Sequence, residues 1–137
     1  MKMPDPDKTI LAKRNEIIGA MNKIVKKDNV IVEKKKLAVY ESDGLTAYKQ
    51  LPLIVVLPET VEQISSVLSY CHQNNVKIVP RGAGTSLSGG ALPLADGITL
   101  GLGKFNQVLE VDYDNRCARV QPGVTNLAIS KAVEGNG

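Results

Sequence analysis

Val76-Lys77-Ile78-Val79-Pro80-Arg81-Gly82-Ala83-Gly84-Thr85-Ser86-Leu87-Ser88-Gly89-Gly90 is the stretch on which the reading of this chain turns. Its β-branched opening, 76–80, is a strand, and the Gly/Ser-rich run 81–90 that follows directly is a loop. Working back from it, Ile54-Val55-Val56-Leu57 is a continuous apolar run, as in a strand covered on both faces. Pro58 ends that run. Thr60 with Gln63 is a capping-box signature, and Val61, Ile64, Val67, Leu68 and Cys71 mark one face of the helix it opens, which ends near Asn74-Asn75. Strand, helix, strand in this order is a βαβ unit, so the two strands are expected to be parallel with a right-handed crossover.

Working forward, segments 97–102, 107–112 and 116–121 are strand-like. The turn Asp114-Asn115 pairs the last two as a hairpin, with Val108 and Val111 among its apolar positions. Thr125 then caps a helix carrying Leu127, Ile129, Ala132 and Val133. At the other end, Ile10, Ile17, Met21, Ile24 and Val25 form one stripe of a helix expected over about 8–27. A short strand over 30–32 follows the Asp28-Asn29 turn. Glu41-Ser42-Asp43-Gly44 reads as a solvated turn. The fold class expected is α+β: an N-terminal helix, a βαβ start and a small mixed sheet.

Composition narrows the function classes. The 137 residues are 43% hydrophobic and 23% charged, which supports a packed core and excludes disorder, collagen and coiled coil. With four Tyr, one Phe and no Trp, the core is aliphatic and stacking platforms for single-stranded nucleic acid are scarce. The net charge of +3 is concentrated in residues 1–50, where 11 Lys/Arg face 7 Asp/Glu. Lys23, Lys26, Lys27 and the run Lys34-Lys35-Lys36 lead that excess, which reads as a solvated helix end and turn. Cys71 and Cys117 lie far apart with no ligand spacing, and Cys71 falls on an inward helix position, so it is expected to be a buried free thiol. His72 is the only histidine and reads as a helix-surface residue; no metal site and no catalytic residue is expected. The opening Met1-Lys2-Met3-Pro4-Asp5 lacks a leader pattern, and no apolar run is long enough for a membrane span. The chain is expected in the cytoplasm.

The loop carries the chemistry. It leaves the carboxyl end of a strand, where ligands bind in open α/β sheets. Its glycines admit positive φ and close approach, and successive main-chain N–H groups can form a nest for an anion. Thr85, Ser86 and Ser88 add hydroxyls, and Arg81 a fixed charge. A phosphate or pyrophosphate suits this set. Neither common phosphate motif is present: Leu87 stands where GxGxxG needs glycine, and Gly90 where a P-loop needs lysine.

Taken in order, these residues resemble a known family. Pro80-Arg81-Gly82-Ala83-Gly84-Thr85-Ser86-Leu87-Ser88-Gly89-Gly90 is similar to the FAD pyrophosphate loop of the vanillyl-alcohol oxidase/p-cresol methylhydroxylase flavoproteins. Leu51 to Ile64 resembles that family's strand-to-helix entry, Asp96-Gly97-Ile98-Thr99-Leu100 its next strand, and Val120-Gln121-Pro122-Gly123-Val124 its V-x-P-G-V turn. With Tyr40-Glu41-Ser42-Asp43-Gly44-Leu45, the likeness is strongest to FAD-linked subunits of glycolate oxidases and to D-lactate dehydrogenases.

Residues 1–36 read as an N-terminal helical and basic segment, and the resemblance, which covers 37–137, implies the first part of a p-cresol methylhydroxylase (PCMH)-type FAD-binding domain there. FAD is the implied cofactor. Backbone amides of Gly82, Ala83, Gly84, Thr85 and Ser86 would hold its pyrophosphate, with Pro80 and Arg81 also among the cofactor-binding residues; Gly89 and Gly90 would allow close approach, and Gln121, Pro122, Gly123 and Val124 would lie against it. The implied reaction is hydride transfer from the α-carbon of a small 2-hydroxy acid, such as glycolate or D-lactate, to the flavin. Iron-sulfur or other electron-transfer subunits are the implied partners; nucleic acid is not. The chain is expected to be a fragment that cannot oxidise its substrate alone. A non-enzymatic phosphate- or nucleotide-binding module stays open as the alternative. A basic interaction domain is a third reading, opposed by the missing aromatics.

Overall fold

Ile54, Val55 and Val56 are all 0% exposed, and the sheet is organised around the strand they form. The computed structural model describes residues 3–136. Its elements are α1 (Lys8–Ala12), α2 (Arg14–Ile24), β1 (Val30–Ile31), α3 (Lys34–Leu37), β2 (Ile54–Val56), α4 (Val61–Gln73), β3 (Lys77–Arg81), β4 (Gly97–Gly101), β5 (Val108–Asp112), β6 (Cys117–Val120) and α5 (Asn126–Val133). The mixed α/β architecture expected from the sequence is present.

The main sheet runs β1-β2-β4-β3, with β1 antiparallel and the other strands parallel. β2 and β3 are thus parallel, but they are not neighbours. β4 lies between them, pairing Ile98 with both Ile54 and Ile78. The physical reason is burial. β4 is buried at every position, with Ile98 and Thr99 at 0% exposure, so it takes the centre. β3 keeps its lysine and proline at the edge, where a missing N–H costs no ladder bond.

Helix α4 begins as a variant of the capping box. Thr60 Oγ1 accepts the Gln63 amide at 3.2 Å, and Gln63 Oε1 accepts the amide of Glu59, one residue early, at 2.7 Å. Val67 and Cys71 of α4, Ile17 and Met21 of α2, and Ile10 of α1 join the strands in one apolar cluster. The single N-terminal helix expected over 8–27 is instead two helices, broken at Lys13. No glycine or proline marks the break. The Arg14 guanidinium donates to Leu53 O at 3.2 Å and Val32 O at 2.8 Å, anchoring the start of α2 to the strand layer. Periodicity cannot register such a tertiary anchor.

The amino end of the parallel strands is locked by Asp96, which is 2% exposed. It accepts from Lys77 Nζ at 2.6 Å and from the Asp7 amide at 2.8 Å. Burial alone would push this carboxyl up. The two donors outweigh it and hold the group below its ordinary value.

The hairpin of β5 and β6 pairs as expected, Val108 opposite Val120, with an irregularity before Glu110. Asp112 closes its turn by accepting the Asn115 amide at 3.0 Å and its side-chain amide at 2.7 Å. Among the described residues no helix is long and apolar enough to cross a membrane.

Candidate functional site

The carboxyl ends of β2, β3 and β4 open onto one rim of the sheet. From β3 comes the loop 82–90. Gly82, Ala83, Thr85 and Gly90 are exposed, and Gly84, Ser86 and Gly89 are half-buried. Gly84 and Gly89 have φ of +75° and +79°, which L side chains rarely adopt. Around Gly82 the space is open: a Cβ placed there meets nothing within 4 Å.

Backbone accounting shows what the loop offers. Among the described residues, the amides of Gly82, Ala83, Gly84, Thr85 and Ser86 donate to no protein acceptor. Within the loop only the Ser88 amide reaches a side chain, Ser86 Oγ at 3.4 Å. Unpaired consecutive N–H groups at a strand's carboxyl end form a donor surface for an anion.

Other predicted site residues take distinct places. Pro80 sits in β3 opposite Leu100 and is exposed. Arg81, at the strand's end, faces inward. Its Nη1 donates to Ser42 O at 2.7 Å and Ala91 O at 3.3 Å, and its guanidinium lies 5.6 Å from the centre of the Tyr40 ring. Gln121, Pro122, Gly123 and Val124 form a turn on the 102–105 segment that leaves β4. The Gly123 amide donates to Phe105 O at 2.7 Å, and the Val124 amide to Gln121 O at 3.1 Å. The turn and the Gly/Ser loop therefore leave the same end of the sheet. No hydrogen bond joins them among the described residues.

One sequence expectation is corrected here. Segment 41–44 is not simply a solvated turn, because Asp43 is 5% exposed. Its Oδ1 accepts the Leu45 amide at 3.0 Å, while Oδ2 is buried without a hydrogen-bond partner. The neighbouring Gly44 lies so close to the loop that a Cβ would stand 2.8 Å from Thr85 O and 2.9 Å from Ser86 O. The segment is the floor of the loop. Turn-forming residue types mark a turn but carry no signal of what it packs against. A buried acceptor without a protein donor suits a hydroxyl-bearing ligand.

A second group missed by sequence reading stands at the end of β2. Lys104 Nζ donates to Asn29 Oδ1 at 2.7 Å and to Glu59 Oε1 at 2.8 Å, and Lys26 Nζ to Glu59 Oε2 at 2.7 Å. Hydrogen bonds from Lys104, then Lys26, hold the Glu59 carboxyl at about 2. This network ties the ends of β2 and β4 to the residues before β1. Cys71 is buried as expected, and burial pushes its thiol up to about 11, so it stays protonated at neutral pH. His72 is exposed on α4.

Comparison with known proteins follows the same residues. The model of the FAD binding domain family matches residues 52–137. The chain is 47% identical over 133 residues to glycolate oxidase subunit GlcD of Escherichia coli K12, covering 96% of this chain and 25% of that protein. It is 28% identical over 95 residues to the mitochondrial D-2-hydroxyglutarate dehydrogenase of Arabidopsis thaliana, covering 69% of this chain and 17% of that protein. Its backbone matches substrate-bound p-cresol methylhydroxylase with a TM-score of 0.80 at 25% identity, over 98% of this chain and 26% of that one. The chain thus spans about a quarter or less of the relatives it matches.

Proposed function

The chain belongs to the FAD-binding domain family of PCMH type, and from that premise we propose that its loop 82–90 holds the FAD pyrophosphate in an oxidoreductase acting on a small 2-hydroxy acid such as glycolate or D-lactate. FAD is the cofactor this family implies. The residues present suit it. The observation that carries the reading is the run of amides from Gly82 to Ser86 that no protein acceptor takes.

Those amides and the Thr85 and Ser86 hydroxyls are the donors for the phosphate oxygens. Open space at Gly82 and the positive φ of Gly84 and Gly89 bring the main chain close to them. Gly90 and Pro80 flank this cradle, and the turn of Gln121, Pro122, Gly123 and Val124 walls the same rim. When bound, FAD supplies the acceptor for the hydride that leaves the substrate's α-carbon. Segment 1–36 then braces the domain of 37–137. No residue of this chain is assigned a catalytic role. The reaction belongs to the longer protein that the relatives' lengths describe. An iron-sulfur or electron-transfer subunit is the proposed electron acceptor, in line with the relative whose name makes it one subunit of glycolate oxidase. The cytoplasm is the proposed compartment, in line with two free cysteines.

The test is a titration of FAD, and separately of ADP, into the chain with backbone amides followed by NMR. Shifts concentrated at 82–86 are the expected result. Gly82→Asp places a carboxylate where nothing obstructs it, so the fold stays while FAD affinity falls at least about 10-fold through like-charge repulsion. Binding by Gly82→Asp as tight as that of the unaltered chain would remove the assignment. Equal affinity for ADP and FAD would favour a general nucleotide module.

A further inference from the structure

Arg81 stands at the head of the anion loop, yet its contacts run away from the open face. We propose that Arg81 is a positioning residue that clamps the loop onto segment 40–44 and onto the loop's own far end, rather than a ligand of the phosphates. The proposal rests on the FAD reading above and deepens it.

One guanidinium nitrogen bridges two carbonyls. Nη1 donates to Ser42 O at 2.7 Å, which lies in the floor, and to Ala91 O at 3.3 Å, just past Gly90 where the loop ends. Arg81 thereby closes the loop from the residue before its first to the residue after its last. The rest of the planar group fills the space beside Gly84, where any Cβ would run into Nη2 and Cζ. The Tyr40 ring carries the cation at 5.6 Å on the floor side. A lysine ammonium could donate to the same two carbonyls, but it lacks the planar group that fills the space beside Gly84 and lies against Tyr40.

The floor sets which way the loop's peptides face. Thr85 O and Ser86 O are the atoms nearest the missing Cβ of Gly44. In a trans peptide the C=O and the following N–H point in opposite directions. With those carbonyls turned to the floor, the amides of Ser86 and Leu87 are turned to the open side. Among the described residues no carboxylate pairs with Arg81. Its charge therefore lies behind the loop and adds to the field of the amides without occupying the ligand's place.

The experiment uses the full chain with Arg81→Gln, Arg81→Lys and Gly44→Ala. It reads backbone ¹⁵N order parameters at 82–86 without ligand, then FAD affinity. A clamp gives values near about 0.85 in the unaltered chain and below about 0.6 in all the variants. Affinity then falls about 10- to 100-fold in step, as for the loss of a charge-assisted hydrogen bond. Gly44→Ala is the reference for a displaced loop, because its Cβ would press on Thr85 O and Ser86 O while removing neither a donor nor a charge. A direct ligand gives the opposite pattern in the Arg81 variants: order parameters without ligand unchanged from the unaltered chain, and Arg81→Lys keeping most of the affinity. That pattern overturns the proposal. If the unaltered chain bound neither FAD nor ADP, the FAD reading would fail, while the order parameters would still decide whether the clamp exists.

Discussion

The parallel-sheet side of the molecule and its hairpin side are built on different terms. On the sheet side Ile54, Val56, Val67 and Ile98 are 0% exposed and belong to one cluster reaching from Ile10 to Leu100. Each such side chain contributes about 1.5–3 kcal/mol relative to exposure. On the hairpin side no residue of β5, β6 or α5 is buried, and Leu109, Tyr113 and Leu127 are about half or more exposed. Between hairpin and helix lies an open cavity of about 460 Å³, lined by Val111, Cys117, Ile129 and Val133 among others. A two-stranded hairpin is marginal alone in water. The turn after this one is tied to the segment leaving β4 by a main-chain bond, Gly123 to Phe105, while Gln121 to Gln107 extends the hairpin's own ladder. The candidate site lies on the rim of the rigid side, where the supporting core fixes where the loop's donors stand.

Three experiments would break or sharpen that contrast. The largest effect is expected from Ile98→Ala, which opens a void in the apolar cluster and should cost about 2–5 kcal/mol. Its counterpart Leu127→Ala, at a position 65% exposed, should stay within about 0.5 kcal/mol. Urea unfolding of both variants measures the difference, and equal costs would mean that the hairpin side carries a core of its own. Next comes Gly123→Ala. A Cβ there would collide with the backbone oxygen of Leu102 and stand 2.7 Å from that of Phe105. Backbone atoms cannot swing aside, so the joint between the two sides should lose about 1–3 kcal/mol. NMR shifts confined to β5, β6 and α5 would show the hairpin released while the sheet stays intact.

The smallest effect is acid dependence. The Glu59 carboxyl is held at about 2, below its ordinary 4.5, and Asp96 is lowered as well. A carboxyl lowered in the folded state adds stability above its ordinary value, and that stability is lost as pH falls toward the folded value. Urea midpoints should therefore decline from about pH 4.5 toward pH 2. Glu59→Gln should flatten part of that decline, and an unchanged slope would show that the network at the end of β2 carries no weight.

Legibility followed the same divide between local and distant causes. The loop 81–90, the helix opened by Thr60, the hairpin and the helix capped by Thr125 were all readable, because each is written in neighbouring residues. Thr125 does accept the Ala128 amide at 3.2 Å. The break at Lys13 was not readable, since it depends on Arg14 reaching Leu53 and Val32. Nor was the burial of Asp43, whose turn looks like any other until Gly44 is set against Thr85. The string Tyr40-Glu41-Ser42-Asp43-Gly44-Leu45 was recognisable as part of the family likeness, but that likeness gave it no role.

By itself the sequence determined the α+β class and the family to which the chain belongs, and it singled out the Gly/Ser loop as the candidate site. Glycines that admit positive φ, hydroxyls and a strand before them are properties of consecutive residues, and their order alone is informative. Tertiary structure decided that β4 lies between β2 and β3, that a segment with a buried Asp43 floors the loop, and that Arg81 faces that floor. These are matters of which distant groups meet. Burial and hydrogen-bond satisfaction settle them only when the whole chain competes for the same interior.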